Sequence, residues 1–282
     1  MKDIDEIYDY IHYLKTEQNL SVSLHPGEYD AVICATKLHR FRRHENPYCL
    51  YLATHPTLHQ HCVEKQAQVR RRCGESPFCG TCFAGVKEYV YPITTGKQKI
   101  GFISVSGYRD EHAESYHKKI AHEYGLDPEE LRQSYAPLTP LPPQKTVDIL
   151  IRPLQRMLEL CYRNLEEDHT RSAEHELCEK ILYYLQLNHT RRITIEELCN
   201  HFYCSRSTIS HKFKAYTGQS ITEYVTSLRI EDAKSLLKNT NMSIGSISAT
   251  TGFDNSNYFT NVFTKEAGVS PTAYRKRHIS AK

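Results

Sequence analysis

Four cysteines, Cys62, Cys73, Cys79 and Cys82, crowd one short stretch of this 282-residue chain. Cys79 and Cys82 stand two residues apart around Gly80, a spacing that lets two thiolates turn toward one ion. With Cys62 and Cys73 as partners they form a candidate metal centre for zinc or an iron–sulfur cluster. The upstream pair is not spaced as in a zinc ribbon, and Cys34, Cys49, His59 and His61 compete as ligands. A redox-active Cys79/Cys82 pair, or reduced thiols packed in a core, accounts for the same residues.

A second set of residues could read nucleic acid. Gly252 follows Ile244, Ile247 and Ala249 as a helix-ending residue should, and Asp254, Asn255 and Ser256 offer caps for a new helix. That helix is expected to carry Tyr258, Phe259, Val262 and Phe263 on an apolar stripe. Ser256, Asn257, Thr260 and Asn261 fall on its other face, where amides and hydroxyls match base edges in a major groove. Gly268 closes it, and Ser270-Pro271 opens the next helix. Two helices around a short glycine-containing turn make a helix-turn-helix, although a plain helical hairpin reads similarly.

The pattern occurs twice, which favours the first reading. Ile195–Phe202 is an amphipathic helix that turns at Tyr203-Cys204 into a second one beginning at Ser205. Phe213 to Gly218 there repeats the spacing of Phe263 to Gly268. Arg206, Ser207, Ser210 and His211 form the outer face of this first reading helix. Lys212, Lys214 and Lys265 are placed to meet phosphates. Between the two units, Ser220–Leu237 predicts one continuous helix with Ser220 and Glu223 as a capping box.

Gly218-x-Ser-Ile-x-x-Tyr224, Arg229-Ile-x-x-Ala233-x-x-Leu-Leu237, Ile244-x-x-Ile247, Gly252-Phe253, Tyr258-Phe259, Phe263, Gly268-x-Ser-Pro271 and Tyr274-Arg275 resemble the signature of AraC-type transcription regulators. The resemblance covers about Leu177 to Arg277. It implies an all-α seven-helix double helix-turn-helix domain whose two recognition helices enter successive major-groove segments of double-stranded DNA. It also implies that Ser256, Asn257, Thr260 and Asn261 occupy base-facing positions.

Charge is divided in the same sense. The chain carries 36 Lys and Arg against 33 Asp and Glu. From Thr170 onward there are 15 basic and 10 acidic residues, a surplus of five, which leaves the first 169 residues two units negative. A basic module behind a mildly acidic one suits DNA binding by the second alone. The N-terminus, Met1-Lys-Asp-Ile-Asp-Glu-Ile-Tyr, has no signal-peptide layout and no segment is apolar enough to span a membrane. The expectation is a soluble cytoplasmic protein with reduced cysteines.

In the N-terminal half, Ile4, Ile7, Tyr8, Ile11 and Leu14 predict a helix, Asn19–Pro26 a turn, and Glu28–Leu38 an apolar element. Val86–Ile93 and Lys99–Ser106 predict an antiparallel hairpin turning at Thr94 to Gln98. Cys82-Phe-Ala-Gly85, Glu88, Pro92-Ile93, Gly96 and Ile100-Gly101, with Tyr48-Cys49 and Cys62, resemble PocR-type sensory domains. Where that family usually has Gly-Gln after the hairpin, this chain has Gly107-Tyr108. The resemblance implies an α+β, PAS-like sensor domain, a half-open sheet with flanking helices, that takes a small-molecule effector such as a short diol or hydrocarbon derivative. Tyr89, Tyr91, Phe102 and Tyr108 are candidate ligand-binding residues, and aromatic strand residues also simply pack cores.

Ala136-Pro-Leu-Thr-Pro-Leu-Pro-Pro143 reads as a boundary. After it, Val147, Ile151, Leu154, Leu158, Cys161 and Leu165 repeat in steps of four and three, a seam that either packs on the sensor or joins two copies. The expected organisation is a sensor domain over 1–135, a linker and signalling or dimerisation helix over 136–170, and a DNA-binding domain over 171–282. The expected function is non-enzymatic: sequence-specific transcription regulation by a homodimer that senses a small molecule, a bound metal or redox state, with RNA polymerase as a further partner. The alternative is an Ada-like protein that accepts methyl groups from damaged DNA on a zinc-activated cysteine.

Overall fold

Ile7, Ile11 and Leu14 recur every three to four positions, and the chain there forms helix α1 (Lys2–Thr16), with Asp3 and Asp5 in its first turn and Lys15 in its last. The computed structural model describes residues 2–27, 31–34, 36–96, 98–167 and 173–279. These fall into two units, Met1–His169 and Thr170–Lys282.

The first unit continues through β1 (Ser21–Pro26), α2 (Ala31–Cys34), a tight helical turn at Lys37–Phe41, α3 (Pro47–Ala53) and α4 (Pro56–Arg72). Then come β2 (Phe78–Thr81), β3 (Val86–Thr95), β4 (Gln98–Arg109), α5 (Ala113–Tyr124), α6 (Pro128–Tyr135) and α7 (Gln144–Glu167). The strands form one antiparallel sheet in the order β1-β4-β3-β2. The expected hairpin is present and longer than the sequence suggested, closing with Thr95 opposite Gln98. Ser21–Pro26 is a strand, not a turn. Its apolar pattern is only Val22 and Leu24, and Pro26 sits at the end of an edge strand, where a missing N–H costs little.

Both faces of this sheet are covered. On one, Val22, Leu24, Tyr89, Tyr91, Ile93, Ile103 and Val105 join α1 and α7 in the main core. On the other, Val90 and Phe102 pack with Cys73 and Val69. Beside them lie Ser23, His25, Glu88, Ser104 and Ser106, all at most 9% exposed.

The seam of α7 belongs to this unit. Val147, Ile151, Leu154, Leu158 and Cys161 are buried against α1 and the sheet, so that stripe is already covered and does not offer itself to a second copy. The side chain of Leu165 lies outside the described residues. The proline-rich segment before α7 is also packed: Leu138 is buried, and the Arg109 N–H donates to Thr139 O at 2.8 Å.

The described elements of the second unit are all helices: α8 (Ala173–Asn188), α9 (Ile195–Phe202), α10 (Arg206–Thr217), α11 (Ile221–Asn239), α12 (Ile244–Thr250), α13 (Ser256–Ala267) and α14 (Pro271–Ile279). Seven helices agree with the expected domain. Ile181, Leu185, Leu198, Ile209, Phe213 and Leu228 core the first half. Phe253, Phe259, Phe263 and Tyr274 form a chain of ring contacts in the second, with centroids 5.1–5.7 Å apart.

Candidate nucleic-acid interface and sensor site

Helices α10 and α13 are built alike. Ser205 caps the first, its hydroxyl accepting from the Thr208 N–H at 3.2 Å. Asn255 caps the second, its side chain accepting from the N–H groups of Asn257 and Tyr258 at 2.8 and 3.1 Å. Each ends on a left-handed glycine, Gly218 with φ 75° and Gly268 with φ 71°. Ile209, Phe213, Phe259 and Phe263 point inward and are fully buried.

The opposite faces carry the expected readers. Arg206, Ser207, Ser210, His211, Ser256, Asn257 and Asn261 are exposed, as are Lys214 and Lys265. Thr260 is half-buried and donates its hydroxyl to Ser256 O at 2.9 Å, which leaves the oxygen as an acceptor. Lys212 is half-buried and lies on the flank rather than the open face. Tyr258 departs from the expected stripe at 57% exposure, because Phe259 and Phe263 define the inner line and their neighbour is turned about 100° from it. Tyr203, at the first turn, is 94% exposed and holds φ 53°, the left-handed conformation that Gly252 supplies in the second unit. Sequence reading passed over it as a turn residue.

Helix α11 holds the two halves apart. Its 19 residues span about 28 Å, close to the roughly 34 Å between neighbouring major-groove segments on one side of B-DNA. The predicted capping box is present: the Glu223 N–H donates to Ser220 Oγ at 3.2 Å, and the Ser220 N–H to Glu223 Oε2 at 2.8 Å. Arg229 on this helix donates from Nε to His189 O at 2.7 Å and from Nη2 to Arg191 O at 3.0 Å, with Phe253 beneath its guanidinium. Gly252 makes this junction possible, since a Cβ there would lie 2.5 Å from Thr190 O. Loop, linking helix and second turn are thereby pinned together.

In the first unit, one sheet face gathers polar side chains from distant parts of the chain. His25 Nε2 lies 2.9 Å from Ser23 Oγ and 3.3 Å from His44 Nε2, and its Nδ1 lies 3.1 Å from Gln66 Oε1. His44 Nε2 is 3.8 Å from Glu88 Oε2, and the Ser104 hydroxyl donates to the same carboxylate. Cys49 Sγ is 3.9 Å from His44 Nδ1 and accepts from Asn46 Nδ2 at 3.2 Å. Burial holds the His25 imidazole well below its ordinary value, and the adjoining His44 and Arg42 push the same way. Burial also lowers His44, against the pull of Glu88. Desolvation raises Cys49 well above the usual thiol range, Cys62 to about 11 and Cys82 to about 12, with Glu88 adding to each. Each of these shifts favours the neutral form of its group.

Comparison with known proteins follows this division. A family described as a helix-turn-helix domain matches residues 198–277, and one described as a sensory domain found in PocR matches residues 29–163. The chain carries an AraC-type helix-turn-helix domain behind a PocR sensory domain. It is 32% identical over 119 residues to the HTH-type transcriptional activator RhaR of Salmonella schwarzengrund, covering 42% of each chain. RhaR of Klebsiella pneumoniae is 33% identical over 120 residues, 43% of each. The match thus spans about two fifths of the length of these curated relatives. Among solved structures, the C-terminal domain of the response regulator AraT from Geobacillus stearothermophilus is 29% identical over 38% of this chain and 88% of that one, with a TM-score of 0.36.

The PocR domain separates the four candidate ligand aromatics. Phe102 lies on the polar face, stacked on His25 with ring centroids 4.5 Å apart. Tyr89, Tyr91 and Tyr108 belong to the core on the opposite face. Tyr89 donates to Pro142 O at 2.8 Å and Tyr91 to Asp148 Oδ1 at 2.7 Å, so both serve the attachment of α7.

The four candidate metal ligands do not all gather, although Cys62 and Cys82 feel each other's charge. Cys73 is buried beside Val90 and Phe102, Cys79 is exposed on β2 opposite Tyr89, Cys62 lies on α4, and Cys82 opens the turn before β3. Among the described residues no three His, Cys, Asp or Glu side chains are arranged to hold a metal ion. The four cysteines named from the sequence are therefore not arranged as one centre among the described residues, and the side chain of Cys34, a competing ligand, lies outside them. The groups that do approach Cys62 and Cys82 are Cys49 and Glu88. Cys49 was named only as a competing ligand. His25, His44 and Ser104 were missed because nothing in their spacing links them to the cysteines.

Proposed function

We propose that this chain is a sequence-specific DNA-binding transcription regulator whose PocR domain, a PAS variant, senses a small molecule on the polar sheet face. The observation that carries the reading is the pair of matched helices α10 and α13, each capped alike and each presenting polar side chains outward. Asn257 and Asn261 are suited to bidentate bonds with adenine, and Arg206 to guanine. Lys214 and Lys265 supply phosphate contacts that add affinity without sequence choice.

Strand β3 connects sensing to output. Glu88 faces the polar cluster, while Tyr89 and Tyr91 on the same strand hold α7, the helix that leads toward the DNA-binding domain. A ligand that shifts β3 changes how α7 is held. The similarity to RhaR, a transcriptional activator, favours activation. RNA polymerase is the partner, a homodimer the DNA-bound form and the cytoplasm the place of action in the same proposal. Among the described residues no helix is long and apolar enough to cross a membrane.

The test is a binding-site selection from random duplexes with the full chain. A recovered motif with two half-sites about one helical turn apart is expected. Recovery of no motif, with equal binding to every duplex at moderate salt, would reject the reading.

A further inference from the structure

Glu88 is 9% exposed, in the middle of a four-stranded sheet. Its carboxylate receives the Ser104 hydroxyl and stands 3.8 Å from His44, beyond hydrogen-bond reach. No Lys or Arg among the described residues pairs with it. A buried carboxylate without a full counter-charge is costly, and a bound cation relieves that cost.

A second observation points to the same place. Ser106 lies directly across the β3–β4 ladder from Glu88, so both side chains share one face. It is 1% exposed, and its hydroxyl has no hydrogen-bond partner. A buried unpartnered hydroxyl beside an uncompensated carboxylate describes a site for a group that donates hydrogen bonds and carries positive charge. Cys49, Cys62 and Cys82 are half-buried and each feels the charge of Glu88, so they belong to the same neighbourhood.

We propose that this face binds a small organic ammonium ion, its nitrogen on the Glu88 carboxylate and the Ser106 hydroxyl. An anion is repelled by Glu88. A metal ion is disfavoured because the surrounding donors are not arranged to coordinate one. A neutral diol leaves the carboxylate uncompensated. The inference rests on reading the PocR domain as the sensor and names the chemical class it senses.

Calorimetric titration of the full chain with propylammonium and ethanolammonium, against propan-1-ol, ethane-1,2-diol and zinc ion, tests it. The ammonium probes should bind, the neutral probes should bind at least about tenfold more weakly, and Glu88→Gln should abolish the difference. Ser106→Ala should weaken the ammonium probes by about tenfold while far-UV circular dichroism stays unchanged, which keeps the test intact where Glu88→Gln fails to fold. Equal binding of alcohols and ammonium ions, binding of zinc alone, or no ammonium binding would each overturn the proposal. Site selection on DNA is scored separately, so a chain that reads DNA but takes no ammonium ion loses only this inference.

Discussion

Tyr91 donates its hydroxyl to Asp148 Oδ1 at 2.7 Å, joining the central strand β3 to helix α7. Among the described residues Asp148 has one other side-chain partner, Arg152 at 3.4 Å, and Tyr91 itself is fully buried. Tyr91→Phe keeps the ring and removes the bond, so it should lower the stability of the first unit by about 1–2 kcal/mol in urea denaturation. If β3 transmits ligand binding through α7, the same variant should weaken the effect of a bound ligand on DNA affinity. An unchanged urea midpoint would show that the bond contributes nothing.

Base reading rests on α13. Asn257→Ala and Asn261→Ala should each relax preference at one or two base pairs, with a loss of about 1–3 kcal/mol of discrimination per bidentate contact. Site selection at fixed salt with wild type and both variants checks this. Unchanged preferences in both would mean that another face of the helix meets the groove.

Lys265 is exposed one turn beyond Asn261 and points away from the buried line of Phe259 and Phe263. Lys265→Ala should weaken all duplexes alike and reduce the salt slope of binding by about one. Fluorescence anisotropy across a range of salt concentrations measures that slope. A change in sequence preference instead would make Lys265 a base reader.

The AraC-type half was legible because its signals are local. Ser205, Gly218, Ser220 and Gly268 cap helices within a few residues of where the pattern places them. Periodicity failed at Tyr258, on the border between faces, and at Ala249, which is exposed while Ser248 beside it is buried. The sensor half was legible in outline, since α1 and the β3–β4 hairpin follow from alternation and spacing. Its site was not, because His25, His44, Cys49, Cys62 and Glu88 come from five separate segments that meet only after the sheet forms. The short spacing of Cys79 and Cys82 misled for the same reason: a strand ends between them and leaves Cys79 on the surface. The seam of α7 was legible as a stripe, but periodicity cannot say whether the covering surface is the same chain or a second one.

Gly252 is the most closely packed of the glycines in the AraC-type domain. It holds φ 88°, and a Cβ would meet Thr190 O at 2.5 Å and Arg229 Nε at 3.1 Å. Gly252→Ala would strain the turn and displace the loop that Arg229 fastens. It should destabilise this domain by about 1–3 kcal/mol, visible as a lower urea midpoint. Gly268→Ala is the control, with a similar left-handed φ and no atom within 4 Å of its Cβ. Its loss should be smaller, about 1 kcal/mol. Equal losses in the two variants would mean that the contact with Thr190 is not what makes Gly252 necessary.

The His25–His44 pair should make the PocR domain sensitive to mild acid. Burial lowers both imidazoles below their ordinary value of 6.5, while Glu88 partly opposes this at His44. Ser23, Gln66 and Cys49 face the pair as neutral groups, and Arg42 and Arg70 add positive charge on the His25 side. A lowered imidazole means that the unfolded chain binds more protons just below 6.5, so the free energy of unfolding must fall as pH drops through that value. Between pH about 7.5 and 5.5 the loss should be about 1–3 kcal/mol, before most carboxylates titrate. The chain has no tryptophan, so urea denaturation followed by far-UV circular dichroism at each pH is the suitable measurement. His25→Gln removes one of the two proton acceptors and should flatten the profile over this window. A profile already flat in the wild type would show that the two imidazoles are not held neutral in the folded protein.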